Sequence, residues 1–343
     1  MGEPRTLLQP LRDLHTQVRD EIVRATERQD IRTLSAVDRD EPGDTIYAID
    51  VVGEAIVTRF ADVLAREHSF VLVAEGLSGG RKAYERDGTA EWVIIVDPID
   101  GTRGLMYQKR SAWVLTGVAR NRGPDTSLQD IVLAVQTEIP LVKQHLSDQM
   151  WAVRGGGLQA QRHNRLAGES QSIALRPSTA TSIAHGYASI ARFFPGARDE
   201  LAAVDEAIIR GALGAPPPGK THCFEDQYAS TGGQLYELLA GHDRFVADLR
   251  PLMGPLLCGR GYPPSLTCHP YDICTALIAQ EGGVIVTDSY GRPIDAPLNV
   301  EAEVAWAGYA NAAIQAQIEP LLQRELRARR LIENPIEAGR HDE

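Results

Sequence analysis

Apolar residues recur along this chain in two rhythms. From Leu8 to Thr26 they fall at Leu8, Leu11, Leu14, Val18 and Ile22, the spacing of a helix with one buried face. The segment from Asp50 to Glu67 repeats that spacing, and Asp50 at its start suits a helix N-terminus. The rhythm then shortens. A short apolar strand, SFVLVAEG, is followed by a Gly- and charge-rich excursion, LSGGRKAYERDGTA, and then by EWVIIVDPIDGTRGL, in which Trp92–Val96 read as a buried strand. Further strands, SAWVLTGVAR, DIVLAVQTEIP and QMWAVRGGGLQA, alternate around Gly-rich turns and predict a mainly antiparallel meander.

From about Leu175 the alternation begins again, with TSIAHGYAS, the helix RDELAAVDEAIIRGAL, GGQLYELLAGHDRFVADL and the helix–strand pair YDICTALIAQEGGVIVTDSYGRPI. Two blocks of alternating helices and strands predict stacked α and β layers, an α+β class. The expected organisation is an N-terminal α+β lobe over 1–174, a C-terminal α/β lobe over 175–320 and a charged helical tail over 321–343.

Composition narrows the function. With 343 residues, 43% of them hydrophobic, the chain can bury a substantial core. A formal net charge of −11 argues against nucleic acid as the main partner. The start, MGEPRTLLQPLRDLH, lacks the apolar run of a signal peptide, and no stretch has the length and apolarity of a membrane span. Four cysteines, Cys223, Cys258, Cys268 and Cys274, fit no compact zinc motif with His222 or His269, and read as reduced thiols of a cytoplasmic protein.

The acidic residues carry the chemistry. Asp97 and Asp100 stand at the mouth of an apolar strand, where carboxylates are unfavourable without a cation between them. An Asp-Pro turn with Asp100 as a helix cap would account for DPIDGT alone. It would not account for Glu75 ending another apolar strand, Asp272 beginning an apolar helix and Asp50 opening a third element. Carboxylates converging from several element ends suit Mg²⁺, which takes hard oxygen ligands and keeps some of its waters. The Ile99 carbonyl can add an oxygen, and Gly101 and Thr102 follow at a turn whose N–H groups can meet a phosphate. The chemistry these residues suggest is metal-assisted hydrolysis of a phosphate ester.

From Asp44 to about Asn311 the chain resembles the inositol monophosphatase family, within the superfamily of Mg²⁺-dependent, lithium-sensitive sugar, inositol and nucleotide phosphatases. The resemblance rests on DPIDGT after a buried strand and on YDICTALIAQEGGVIVTDSYGRPI, with weaker support from GGGLQAQRHNRLAGES and AGHDRFV. It implies a layered αβαβα sandwich of the inositol monophosphatase and fructose-1,6-bisphosphatase type, and a homodimer. It implies further that Glu75, Asp97, the Ile99 carbonyl, Asp100 and Asp272 bind about two or three Mg²⁺ ions, and that Gly101 and Thr102 hold the phosphate. Asp50 would pair with the Thr102 hydroxyl, and that dyad with Glu75 would activate the attacking water. The chain departs from the family pattern at Gly76, where a second glutamate is usual, at Arg103-Gly104-Leu105, at Tyr271 in place of tryptophan, and in the added segment LRPLMGPLLCGRGYPPSLTCHP. The substrate is therefore open among inositol phosphates, fructose 1,6-bisphosphate, 3′-phosphoadenosine nucleotides and histidinol phosphate, with Arg103, Lys220, Arg250 and Arg260 as candidate contacts to a second phosphate.

Other readings stand beside this one. GAPPPGKT, Gly214–Thr221, has P-loop spacing, but its prolines lack the N–H groups such a loop needs, and it follows a helical pattern. Asp-x-x-Asp differs by one residue from the Asp-x-Asp of aspartate-phosphorylating phosphatases. A member of the family that binds a phosphorylated ligand without turning it over is the remaining alternative.

Overall fold

The structure is a computed structural model that describes residues 3–41 and 44–334. Helix α1 (Arg5–Arg28) buries Leu7, Leu11, Leu14, Val18 and Ile22. A single turn, α2 (Ile31–Leu34), is capped by Asp30, whose carboxylate accepts from the Thr33 N–H at 2.9 Å. An antiparallel hairpin, β1 (Val37–Glu41) and β2 (Asp44–Tyr47), leads into α3 (Ala48–Leu64). The hairpin has no counterpart in the hydrophobic pattern, because its strands are short and mostly polar.

The strands β3 (Phe70–Ala74), β4 (Arg81–Tyr84) and β5 (Trp92–Asp100) come next, then a short helix, α4 (Thr102–Met106). After it run β6 (Ala112–Arg120), β7 (Ile131–Ile139), β8 (Leu146–Val153), β9 (Leu158–Asn164) and β10 (Glu169–Ser172). These form one eight-stranded sheet in the order β10-β9-β8-β7-β6-β5-β3-β4. Every pair in it is antiparallel except β3 with β5. The excursion read as a charged loop thus contains an edge strand, β4, whose exposed Arg81 and Lys82 suit a sheet edge.

The second block holds β11 (Tyr187–Ile190), α5 (Arg198–Leu213), α6 (Thr231–Leu239), β12 (Asp243–Asp248) and α7 (Gly254–Gly259). It continues with α8 (Pro270–Ile273), α9 (Ala276–Glu281), β13 (Ile285–Asp288), β14 (Trp306–Tyr309) and α10 (Ala312–Ala328). Its four strands order as β11-β12-β14-β13. Between α5 and α6, GAPPPGKT is an exposed connection that follows a helix and opens none. The C-terminal helix begins at Ala312 and runs through position 320, so the expected division there falls inside a helix; Ile314, Ile318, Leu322 and Leu326 hold it to the core. The last nine residues of the tail lie outside the described residues.

Burial explains the stacking. Along β3 and β5 consecutive apolar side chains alternate between two cores: Phe70, Leu72, Trp92, Ile94 and Val96 meet α1 and α3 on one face. Val71, Val73, Val93 and Ile95 meet α6, α8 and α9 on the other. Those helices are covered in turn by Val246, Val286 and Trp306 of the smaller sheet, whose far side packs through Phe245, Ala247 and Tyr309 on α5 and α10. The architecture is a layered αβαβα sandwich.

Inside the first core His15 of α1 is fully buried, its ring nitrogens 3.1 Å from Thr137 Oγ1 and 2.8 Å from Thr116 Oγ1. Burial lowers its pKa to about 3. The folded chain therefore keeps this imidazole neutral down to about pH 3, whereas the unfolded chain protonates it near pH 6.5. Stability that His15 leaves intact at neutral pH is lost as pH falls from about 6.5 towards 3. In urea titrations across that window, His15→Gln should lessen the fall by up to about 1.4 kcal/mol per pH unit, one proton's worth. Equal slopes in the two proteins would contradict this account.

Candidate functional site

The buried strand β5 ends inside the molecule. Asp97 and Asp100, at its last turn, are 5% and 6% exposed. Asp272 reaches them from α8, and one carboxylate oxygen from each of the three lies within 4.8 Å of the others. Among the described residues no Lys or Arg pairs with Asp97 or Asp100. Donors hold them instead. The Ile99 N–H donates to Asp97 Oδ1 at 2.9 Å, and Ser230 Oγ and the Gly232 N–H donate to Asp100 Oδ2 at 2.8 and 2.6 Å. The His269 N–H donates to Asp272 Oδ2 at 2.6 Å, closing a capping box at the start of α8.

Like charges this close strain one another. Burial raises the Asp97 pKa well above the usual carboxylate range, and Asp100, Asp272 and Glu75 raise it further. Burial followed by the Asp272 charge takes Asp100 up to about 7, despite the Ser230 and Gly232 donors. A cation among the three carboxylates would relieve both. The donor set, all carboxylate oxygen with a cavity open beside it, fits a hard divalent ion such as Mg²⁺ or Mn²⁺.

Glu75, one residue beyond β3, lines the same cavity, and Tyr271 Oη lies 3.5 Å from its Oε1. Thr102 opens α4 with its Oγ1 2.8 Å from Asp50 Oδ1 and 2.8 Å from the Ile99 carbonyl. Asp50 is fixed in turn: its Oδ2 accepts from the Tyr47 N–H at 2.9 Å, the capping interaction of α3. Gly101 takes φ 94°, which lets the chain turn from strand to helix with the Gly101 and Thr102 N–H groups at the opening of α4, where no intrahelical acceptor exists. Asp50, Glu75, Asp97, Ile99, Asp100, Gly101, Thr102 and Asp272 all border this one cavity.

Glu54 also lines it and escaped the sequence analysis, although it stands one helical turn after Asp50 on α3 and so shares its face. Arg39 Nη2 bonds both its oxygens at 3.0 Å. At Gly76 (φ 79°) a Cβ would collide with the Glu54 carboxylate, so Glu54 occupies the space that a side chain at position 76 would need. Phe193 and Phe194, on the segment after β11, are two more lining residues without a sequence signal. Of the four basic residues considered for a second phosphate, Arg103 and Arg250 border the cavity. Arg260 instead pairs with Asp199 at 2.9 Å, and Lys220 is exposed on the Pro-rich connection. The four cysteines are free thiols.

The fold is that of the inositol monophosphatase and fructose-1,6-bisphosphatase structures. Among solved structures the chain is similar to the extragenic suppressor protein SuhB of Bartonella henselae at 15% identity and a TM-score of 0.63, over 93% of this chain and 99% of that one. It is similar to Leishmania major fructose-1,6-bisphosphatase at 14% identity and a TM-score of 0.66, over 94% and 95%. It is also similar to a Pyrococcus horikoshii protein described by its similarity to inositol-1 monophosphatase, at 17% identity and a TM-score of 0.62, over 97% and 100%. No protein-family model matches the chain, and no curated protein matches it by sequence. Among the described residues no helix is long and apolar enough to cross a membrane.

If a divalent ion belongs among these carboxylates, Asp97→Asn has opposite effects with and without it. The amide keeps the oxygen that accepts from the Ile99 N–H and removes one repelling charge, so the metal-free variant should melt about 2 °C or more above wild type. Added Mg²⁺ or Mn²⁺ should raise the wild-type Tm and leave the variant nearly unmoved. The same metal-induced shift in both proteins would count against a cation at this position.

Proposed function

We propose that this chain is a Mg²⁺-dependent phosphomonoesterase that hydrolyses a small phosphorylated alcohol. The observation that carries the reading is the cluster of buried Asp97 and Asp100 with half-buried Asp272, set in one cavity with the Thr102–Asp50 pair. Asp97, Asp100, Asp272, Glu75 and the Ile99 carbonyl are the oxygens that would hold the metal. Bound there, Mg²⁺ supplies Lewis-acid stabilisation of phosphoryl and leaving oxygens and a water of lowered pKa. The similarity to proteins named as inositol monophosphatases and fructose-1,6-bisphosphatases supports this choice of chemistry.

The chain's own groups divide the work. The Gly101 and Thr102 N–H groups orient the phosphate at the opening of α4. Thr102 Oγ1 donates to Asp50 Oδ1, which leaves its lone pairs able to accept a proton from a water in the cavity. As the water oxygen forms its bond to phosphorus and the bond to the alcohol oxygen breaks, that proton passes through Thr102 to Asp50. Glu75, which lines the same cavity, orients that water, and the departing alkoxide takes a proton from solvent. The Tyr47 N–H holds the Asp50 carboxylate in place.

Thr102→Ala tests this relay. Phosphate release across a panel of phosphorylated inositols, sugars and nucleotides should fall about 10²- to 10⁴-fold in kcat. Mg²⁺ affinity should stay close to wild type. Undiminished turnover in the variant would remove Thr102 from the chemistry, and silence of the wild-type protein across the panel would remove the phosphatase reading.

A further inference from the structure

Above the carboxylates the cavity wall changes character. Phe193 and Phe194 stand edge to face, their ring centroids 4.9 Å apart at 82°. The Arg250 guanidinium lies 4.4 Å from the Phe193 centroid and 5.4 Å from that of Phe194. Arg250 comes from the added segment after β12 and is only 6% exposed. Its Nε donates to both oxygens of Asp248, at 2.9 and 3.1 Å, and its Nη1 donates to the Leu266 carbonyl at 2.9 Å. Its charge is neutralised inside the protein, so it stiffens the aromatic pair rather than receiving an anion.

The hydroxyls on this side of the cavity have their protons engaged within the fold. Ser230 donates to Asp100 at 2.8 Å, Thr267 to Glu303 Oε1 at 2.7 Å, and Thr231 to the Cys268 sulfur at 3.7 Å. A polyol seated here would meet three hydroxyls whose protons are already engaged, and each of its own hydroxyls buried without a partner is penalised; Arg103, whose guanidinium lies 5.2 Å from the Phe194 centroid, also borders this wall. A flat ring needs no such partners and gains from edge and face contacts with phenylalanine.

We propose that the ester cleaved here carries, on the alcohol side of the scissile bond, a planar aromatic or heteroaromatic ring that packs on Phe193 and Phe194. The inference rests on the phosphatase reading for the phosphate end of the substrate alone; the ring contact stands on the wall. Phe193 and Phe194 are then specificity residues of the site.

Two monoesters with matched primary alkyl leaving groups, 2-phenylethyl phosphate and 2-cyclohexylethyl phosphate, and one polyol ester, myo-inositol 1-phosphate, separate the possibilities. With Mg²⁺, the full chain should prefer the phenyl ester by kcat/KM, then the cyclohexyl, then the inositol ester. Phe194→Leu keeps apolar bulk and removes the flat ring, so it should lower the phenyl-to-cyclohexyl ratio about fivefold; Phe193→Leu gives the same reading should that variant misfold. A wild-type preference for the inositol or cyclohexyl ester, or a ratio unmoved by both variants, overturns the proposal. Calorimetric Kd values for the same esters are judged by the same ratio. Absence of phosphate release from these esters and from the wider panel would sink the phosphatase reading, while the binding ratio still decides the ring contact.

Discussion

The interaction on which this structure turns is repulsion among buried carboxylates at the end of β5. Asp97 and Asp100 are carried there by a strand whose side chains are buried on both faces, so neither can swing to solvent without unmaking the sheet. Asp272 is added from a different element, and the three are pinned by N–H and O–H donors. Such donors hold position, but they leave the net charge in place. Burial therefore drives the Asp97 and Asp100 pKa values upward, and a divalent cation is the partner that satisfies all three groups together.

The layered fold brings that charge together from distant parts of the chain. The large sheet supplies Asp97 and Asp100 at the end of β5, and Glu75 just past the neighbouring β3. The parallel β3–β5 register sets these two strand ends side by side. Helix α3, packed on one face of that sheet, presents Asp50 to Thr102, while α8 presents Asp272 from the other face. Helix α6 contributes its capping residue: Ser230 accepts from the Gly233 N–H at 2.9 Å and donates to Asp100. Capping and site assembly thus use the same side chains at Asp50, Ser230 and Asp272.

Much of this was legible in the sequence, and for a physical reason. Long apolar runs such as Trp92–Val96 have few alternative placements, and carboxylates at their ends stand out against them. The helices beginning near Leu8, Asp50 and Arg198 and the antiparallel meander follow the same logic. The β1–β2 hairpin and the edge strand β4 escaped because short, largely polar strands carry almost no periodicity. Glu54 was readable as the i+4 neighbour of Asp50, but its place over Gly76 depends on how α3 meets the turn after β3. Phe193 and Phe194 carried no signal, since a pair of aromatic residues in a connecting segment acquires meaning only when Arg250, far along the chain, packs on it.

The most direct measurement is diffraction from crystals grown with Mn²⁺ and inorganic phosphate, collected at the manganese edge. The account predicts anomalous peaks within bonding distance of Asp97, Asp100, Asp272 and Glu75, with phosphate oxygens on the Gly101 and Thr102 N–H groups. Manganese bound elsewhere at saturating concentration, or phosphate lodged away from the opening of α4, would contradict it.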